Sequence, residues 1–383
     1  MGAMTDRDWA RWRSEFPILA RKTYLNSCSL GALSTRAEAR LDRFREEWHT
    51  HGASAWYETW MGRLDELRGR VAGMLGGARD EVALAASVSA ALTTIASAVD
   101  YGKRPNVVVA DLDFPTLAYQ WLARPDVEVV RVPSDDGTTI ALDRWADAVD
   151  GRTAILATSH VFYATGAIQD LRTLADIAHG AGALLLVDGY QGIGQVPVDV
   201  HAADVDIYLG GPLKWLMGGP GLAYAYVRRE LIAGLRPTVT GWFAAADQFA
   251  FDIEHLEWKD DARRFELGTP ALPTVHTALG GQEIVDEIGV PAIRARNRAL
   301  TDRLIDRLQT AGFSMRLAPD PDARSAIVMI GADDPKATVA HLDRAGIITD
   351  ARPGHVRVSP HFYNTEAEID AVVDELTGWR DRP

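Results

Sequence analysis

Two residues of this sequence sit where residues of their kind are seldom found idle. The stretch "GGPLKWLMGGPG" (210–221) sets one lysine, Lys214, among glycines, prolines and apolar residues. A lysine removed from water loses proton affinity, and its amine can then condense with a carbonyl. The stretch "LLLVDGYQ" (184–191) ends an apolar run on a carboxylate, Asp188, with an amide, Gln191, three residues on. A carboxylate is costly to desolvate without a partner, so one placed there suits keeping a cationic ligand nitrogen protonated. Read singly, Asp188 serves equally well as a turn or helix-cap aspartate, and Lys214 as a loop lysine reaching solvent along its stem.

The elements that must position them are apolar, β-rich runs alternating with helical patterns over residues 81–230. Strands are predicted at 106–111, 127–132, 153–161, 183–189, 205–211 and 222–227. Several are apolar throughout, as strands covered on both faces are, and helical stretches such as 170–182 fall between them. This predicts an α/β domain on a mostly parallel sheet. After Pro270, helices near 273–311 precede strand patterns at 325–332 and 356–360 and helices near 335–345 and 366–379, which predicts a smaller α+β domain. The expected division is an N-terminal segment, 1–30, packing with the small domain, a large domain, 31–270, and a small domain, 271–383. Ligands of open α/β sheets sit beyond the carboxyl ends of the strands. Those ends carry "SVS" (87–89), "DLDFPT" (111–116), "SHVFYATG" (159–166), "VDGYQ" (187–191) and "GGPLKW" (210–215), which should converge. An amine and an acid at two such ends supply an aldehyde trap and a partner for a pyridine nitrogen, which is what pyridoxal phosphate requires.

The stretch 187–227 and further motifs, in order along nearly the whole chain, resemble the class V aminotransferase group of pyridoxal-phosphate enzymes, which share the aspartate aminotransferase fold. Within that group the chain resembles the kynureninase and cysteine desulfurase-like branch. "YLNSCSLGALS" (24–34) is similar to the kynureninase "LDGNSLG" segment, "DFPT" (113–116) to "NFPT", "SHVFYATG" to "HVNYxTG", and "TGWFA" (240–244) to "GWxGH". "FELGTP" (265–270) and "ITDARPGHVRVSPHFYNT" (348–365) resemble that branch's last two motifs. The resemblance implies that Lys214 bonds the cofactor aldehyde and that Asp188 pairs with the pyridine nitrogen. It also implies that Gln191 faces the ring oxygen, that Phe114 stacks on the ring, and that Ser87, Val88 and Ser89 hold the phosphate at a helix N-terminus. Trp242 matches a tryptophan on the phosphate, and Thr269 a residue given to the neighbouring subunit's phosphate in a homodimer. Arg357 matches the guanidinium that grips a substrate α-carboxylate, and Tyr163 lies where substrate-facing residues stand. His160 reads either as a satisfied strand-end histidine or as a neighbour of the cofactor oxygen.

The chain departs from the kynureninase pattern at Leu213, where a tyrosine reaches the phosphate, at Leu117, where an aspartate is usual, and at Gln191, where a histidine stands. A persulfide-forming desulfurase needs a mobile cysteine in a late loop, whereas the one cysteine here, Cys28, is near the N-terminus. With a single cysteine, no intrachain disulfide or thiolate metal cluster is expected. The formal net charge of −13 disfavours nucleic acid or an anionic membrane as partner, and no apolar run is long enough for a membrane span. The composition predicts a cytoplasmic protein that holds no metal, and the resemblance implies a homodimer that binds pyridoxal 5'-phosphate and acts on an α-amino acid. The expected reaction is side-chain cleavage, as kynureninase-like C–C hydrolysis or a C–S lyase reaction. The alternative is a class V aminotransferase or an amino-acid epimerase like isopenicillin N epimerase.

Overall fold

The computed structural model describes residues 5–381. Its strands are β1 (Thr23–Tyr24), β2 (Val82–Ala85), β3 (Asn106–Ala110), β4 (Glu128–Val132), β5 (Thr153–Ser159), β6 (Leu184–Asp188), β7 (Ile207–Gly210), β8 (Ala223–Val227), β9 (Met315–Arg316), β10 (Val328–Gly331), β11 (Ile347–Ile348), β12 (Asp350–Arg352) and β13 (His355–Val358). A seven-stranded sheet runs in the order β2-β8-β7-β6-β5-β3-β4. The pairs from β4 to β7 are parallel, and β8 is antiparallel to both its neighbours. The chain thus has the mostly parallel α/β sheet that its apolar runs predict. β5 is buried at every position and β8 likewise, which is why neither alternates in polarity.

The helices follow from equally local causes. In Leu171–Gly180 the apolar residues Leu171, Leu174, Ala175 and Ala178 recur at helical spacing and are all buried. The Asp170 side chain accepts the Thr173 N–H at its start, and Gly182 turns the chain at φ 73° beyond its end. Strand 153–161 stops at Ser159, two residues early. The chain folds back there, so that Val161 bridges Ile168 and Gly166 takes φ 74°. β2 lay below sequence detection because four residues, "VALA", carry too little pattern.

A second sheet, β12-β13-β10-β9, is antiparallel. Its core joins Leu300, Leu304, Val328, Val356 and Ile369 with Leu25 of the N-terminal segment. That segment is tied in further by β1, which pairs in parallel with β11. Helix Leu272–Ile288 lies past residue 270, yet its apolar residues join the cluster of helices Thr35–His51 and Met61–Leu75. Among the described residues no helix is long and apolar enough to cross a membrane.

Candidate active site

The ends of β3, β5, β6 and β7 open on one side of the large sheet, and the chain leaving each end lines a cavity of about 270 Å³. Ser87, Val88, Ser89, Phe114, Tyr163, Asp188, Gln191 and Lys214 are brought together there. So are five residues with no role assigned from sequence: Thr116, Ser159, Val161, Tyr190 and Leu213.

At one end two helices begin. Ser87 caps Val88–Ala96, and its Oγ accepts the Ala90 N–H at 3.1 Å. The N–H groups of Val88 and Ser89 precede the first intrahelical bond, so they point out of the helix at its positive end. Ser89 Oγ lies 3.0 Å from Thr116 Oγ1, in the first turn of helix Pro115–Leu122. Two hydroxyls and two free amides therefore face one point, a donor set made for a phosphate.

Phe114 is half exposed and meets Tyr163 edge to face, with ring centroids 5.2 Å apart. The preceding residue, Asp113, locks it in place. One Asp113 oxygen accepts the Ala110 N–H at 2.8 Å, and the other accepts the Ser159 N–H at 2.7 Å and the Thr158 hydroxyl at 3.1 Å. This carboxylate ties the end of β3 to the end of β5, and burial pushes it up to about 7. Asp113→Ala is expected to lower stability by roughly 2–4 kcal/mol, because the N–H groups lose a charged acceptor. Asp113→Asn, the residue of the resembling "NFPT" motif, keeps one acceptor oxygen but turns its NH2 toward the remaining donor, and should lose less than the alanine. Chemical denaturation of the two variants checks this.

At the other end stand the acid and the amine. Asp188 Oδ1 accepts the Tyr190 N–H at 2.9 Å. Burial pushes the Asp188 carboxyl up, against the pull of that N–H and of Lys214. Burial pushes the Lys214 amine down to about 8; Cys28 and Asp188 oppose the shift, and Arg357 and Arg352 add to it. Nζ lies 4.6 Å from the centre of the Tyr190 ring. A buried acid, an unbonded amine, an anion cradle and an aromatic ring, all on the lining of one cavity, fit pyridoxal phosphate part for part.

Gln191 lines the cavity, but its amide is largely committed. Oε1 accepts the Trp215 indole N–H at 2.9 Å, and Nε2 donates to the Cys28 carbonyl at 3.0 Å. One N–H remains for a ligand.

Four expected site residues lie outside the lining. His160 is removed from the cofactor set. Its Nδ1 bonds the Tyr208 hydroxyl at 3.0 Å, and burial pushes it down to about 4, so the imidazole is a neutral core group. Arg357 is fully buried and already engaged. Nη1 donates to the Tyr163 carbonyl at 3.0 Å, and Nη2 donates to Ser29 Oγ at 2.7 Å and Asp350 Oδ2 at 2.6 Å. Only its Nε is without a partner. It thus stands one hydrogen bond behind the cavity wall, not in it. Trp242 is half exposed, in ring contact with Phe243 and Phe249, and Thr269 is exposed. Among the described residues no cluster of His, Cys, Asp and Glu could hold a metal ion.

The profile of the aminotransferase class-V family matches residues 39–372. The chain belongs to the class V aminotransferase family. That family is pyridoxal-phosphate dependent, and this class V chain is an enzyme with that cofactor. It is 32% identical over 366 residues to the "Uncharacterized aminotransferase YcbU" of Bacillus subtilis (strain 168), covering 96% of each chain. It is 28% identical over 378 residues to the "Kynureninase" of Shouchella clausii (strain KSM-K16), covering 94% of this chain and 88% of that one. In three dimensions it is similar to a cysteine desulfurase from Thermococcus onnurineus NA1. The TM-score is 0.89 at 20% identity, with 99% of each chain covered, a likeness of fold.

Proposed function

We propose that this class V enzyme binds an α-amino acid in the cavity and cleaves a bond in its side chain, by carbon–carbon hydrolysis or carbon–sulfur elimination. One observation carries the reading. Among the described residues, Lys214 is the only amine, imidazole or thiol on the lining, and Phe114, Val161 and Leu213 give it an apolar wall. One base removes one proton. Inversion at Cα would need a second group to deliver a proton from the other side, and on the lining that work would fall to a tyrosine hydroxyl, Tyr163 or Tyr190, in place of an amine or imidazole.

The bound cofactor supplies electron withdrawal from the substrate's Cα through its protonated ring. Val88 and Ser89 N–H groups bind the phosphate, Phe114 orients the ring, and Asp188 keeps the proton on the ring nitrogen. Lys214 Nζ, partly uncharged near neutral pH, takes the proton from Cα. Arg357 acts from behind the wall: it holds the lining residue Tyr163 by its carbonyl, and Asp350 and Ser29 hold the other end of the guanidinium. Sulfur transfer to a protein thiol is not part of this reading. Cys28 is fully buried, its N–H bonded to Ser359 Oγ at 3.1 Å and its carbonyl to Gln191 at 3.0 Å.

Transamination is the second reading. It is favoured by the likeness to YcbU and also needs a single base. Incubation with kynurenine, cysteine, cysteine-conjugate sulfoxides and alanine separates the two. Anthranilate from kynurenine, or sulfide or pyruvate from the cysteine substrates, marks cleavage, whereas pyruvate from alanine marks transamination. A keto acid that retains the whole side chain marks transamination, and recovery of the opposite enantiomer overturns both.

The functional unit is proposed to be a homodimer in which Thr269, and Trp242 with it, serve the neighbouring cavity. Thr269→Ala is then expected to weaken cofactor retention about 5–10-fold, the worth of one hydrogen bond. Sedimentation should give a dimer for both forms. Unchanged cofactor affinity in the variant, or a loaded monomer, would remove Thr269 from the site.

A further inference from the structure

Between the acid and the amine stands Tyr190. Its backbone N–H donates to Asp188 Oδ1 at 2.9 Å, and its ring face lies 4.6 Å from Lys214 Nζ. The ring is set from behind by Gly211. A Cβ there would lie 2.4 Å from Tyr190 Cε2 and 3.0 Å from the Leu222 carbonyl oxygen. The glycine two residues before Leu213 therefore leaves room for an aromatic ring beneath the amine. Among the described residues Nζ makes no hydrogen bond or ion pair, and the aromatic face is its contact.

We propose that Tyr190 is a positioning residue for Lys214. Its ring face holds the amine at the cavity wall and favours the ammonium form, so that a proton taken by Nζ stays beside the substrate. The inference rests on Lys214 being the base of the site. A cation over an aromatic face is attracted by the ring quadrupole, and more strongly where water is excluded. The charged and titratable groups acting on Nζ come from four directions: Asp188 at the end of β6, Cys28 on the N-terminal segment, Arg352 on β12 and Arg357 on β13. The first two favour the charge, the arginines and burial oppose it. Tyr190 therefore adds to the weaker side.

The test reads the amine and not turnover. Pyridoxal phosphate is allowed to label the protein across a range of pH, the product is fixed with borohydride, and label on Lys214 is quantified by peptide mapping. The cofactor's own titration is common to all variants and cancels in their comparison. Tyr190→Phe keeps the ring face and should keep the midpoint. Trifluorophenylalanine at 190 keeps the shape but drains the face of negative charge, and should lower the midpoint by about 0.5–1.5 pH units. Tyr190→Leu should lower it as far. Equal midpoints in the phenylalanine and trifluorophenylalanine proteins overturn the inference and leave the proposed function standing. Label on other lysines with Lys214 unlabelled overturns the proposed function instead.

Discussion

Lys214→Ala is expected to leave a folded protein whose turnover falls by at least about 10²–10⁴-fold, the usual worth of a positioned acid–base group. The cavity offers no replacement. His160 is locked to Tyr208, Cys28 is buried in its own loop, and Asp188 is held by the Tyr190 N–H beside the place for the ring nitrogen. The fold should survive because the amine contributes no hydrogen bond or ion pair among the described residues, and its burial works against the charged form. Steady-state assay with the best substrate of the product screen, beside a thermal melt, measures both halves. A variant retaining a tenth of the activity would show that the proton goes elsewhere.

Glu266→Ala is expected to lower stability by roughly 3–5 kcal/mol, because it removes the buried partner of Arg68, leaves that cation only the exposed Asp65, and leaves the Leu84 N–H without an acceptor. Glu266 and Arg68 are both buried and joined by three hydrogen bonds of 2.8–2.9 Å, and Glu266 Oε1 also accepts the Leu84 N–H at 2.9 Å. Burial pushes the Glu266 carboxyl up even so, with Arg68 pulling it back. The pair fixes β2 against the chain that leads to Thr269. β2 runs directly into Ser87, so a loosened pair should also weaken phosphate binding. Chemical denaturation gives the first effect and cofactor titration the second. The double variant Arg68→Leu/Glu266→Leu should recover part of the stability, since no buried charge is then left unpaired and Asp65, which loses Arg68, is exposed to water.

The large sheet, and the acid and amine that its strand ends bring to one cavity, were legible because they break composition rules: strands apolar on both faces, an acid closing an apolar run, a lysine among glycines. Of the two readings left open for His160, the structure favours the satisfied strand-end histidine, for a reason the sequence also holds. Neighbours along an extended chain point to opposite faces, so when Ser159 and Val161 face the cavity, His160 faces the core. Arg357 was expected to be free, but its carboxylate partner comes from across a hairpin, where Asp350 pairs in register with it. Thr116 and Tyr190 carried weaker signals. Thr116 matters only because its helix begins opposite Ser89, and Tyr190 only because Gly211 clears a space for its ring. Such relations are fixed by packing between distant segments and leave no local pattern. Trp242 and Thr269 lie on the outer surface, where one chain's sequence cannot say what covers them.

Where pyridoxal phosphate attaches covalently decides whether Lys214 is the amine that traps it. The chain's lysines are Lys22, Lys103, Lys214, Lys259 and Lys336, so peptide mapping after borohydride reduction of the pyridoxal-phosphate-loaded protein can tell them apart. One cofactor per chain is expected, on the peptide containing Lys214, and none in Lys214→Ala. Stable label on any of the other four, with the Lys214 peptide unmodified, would contradict it.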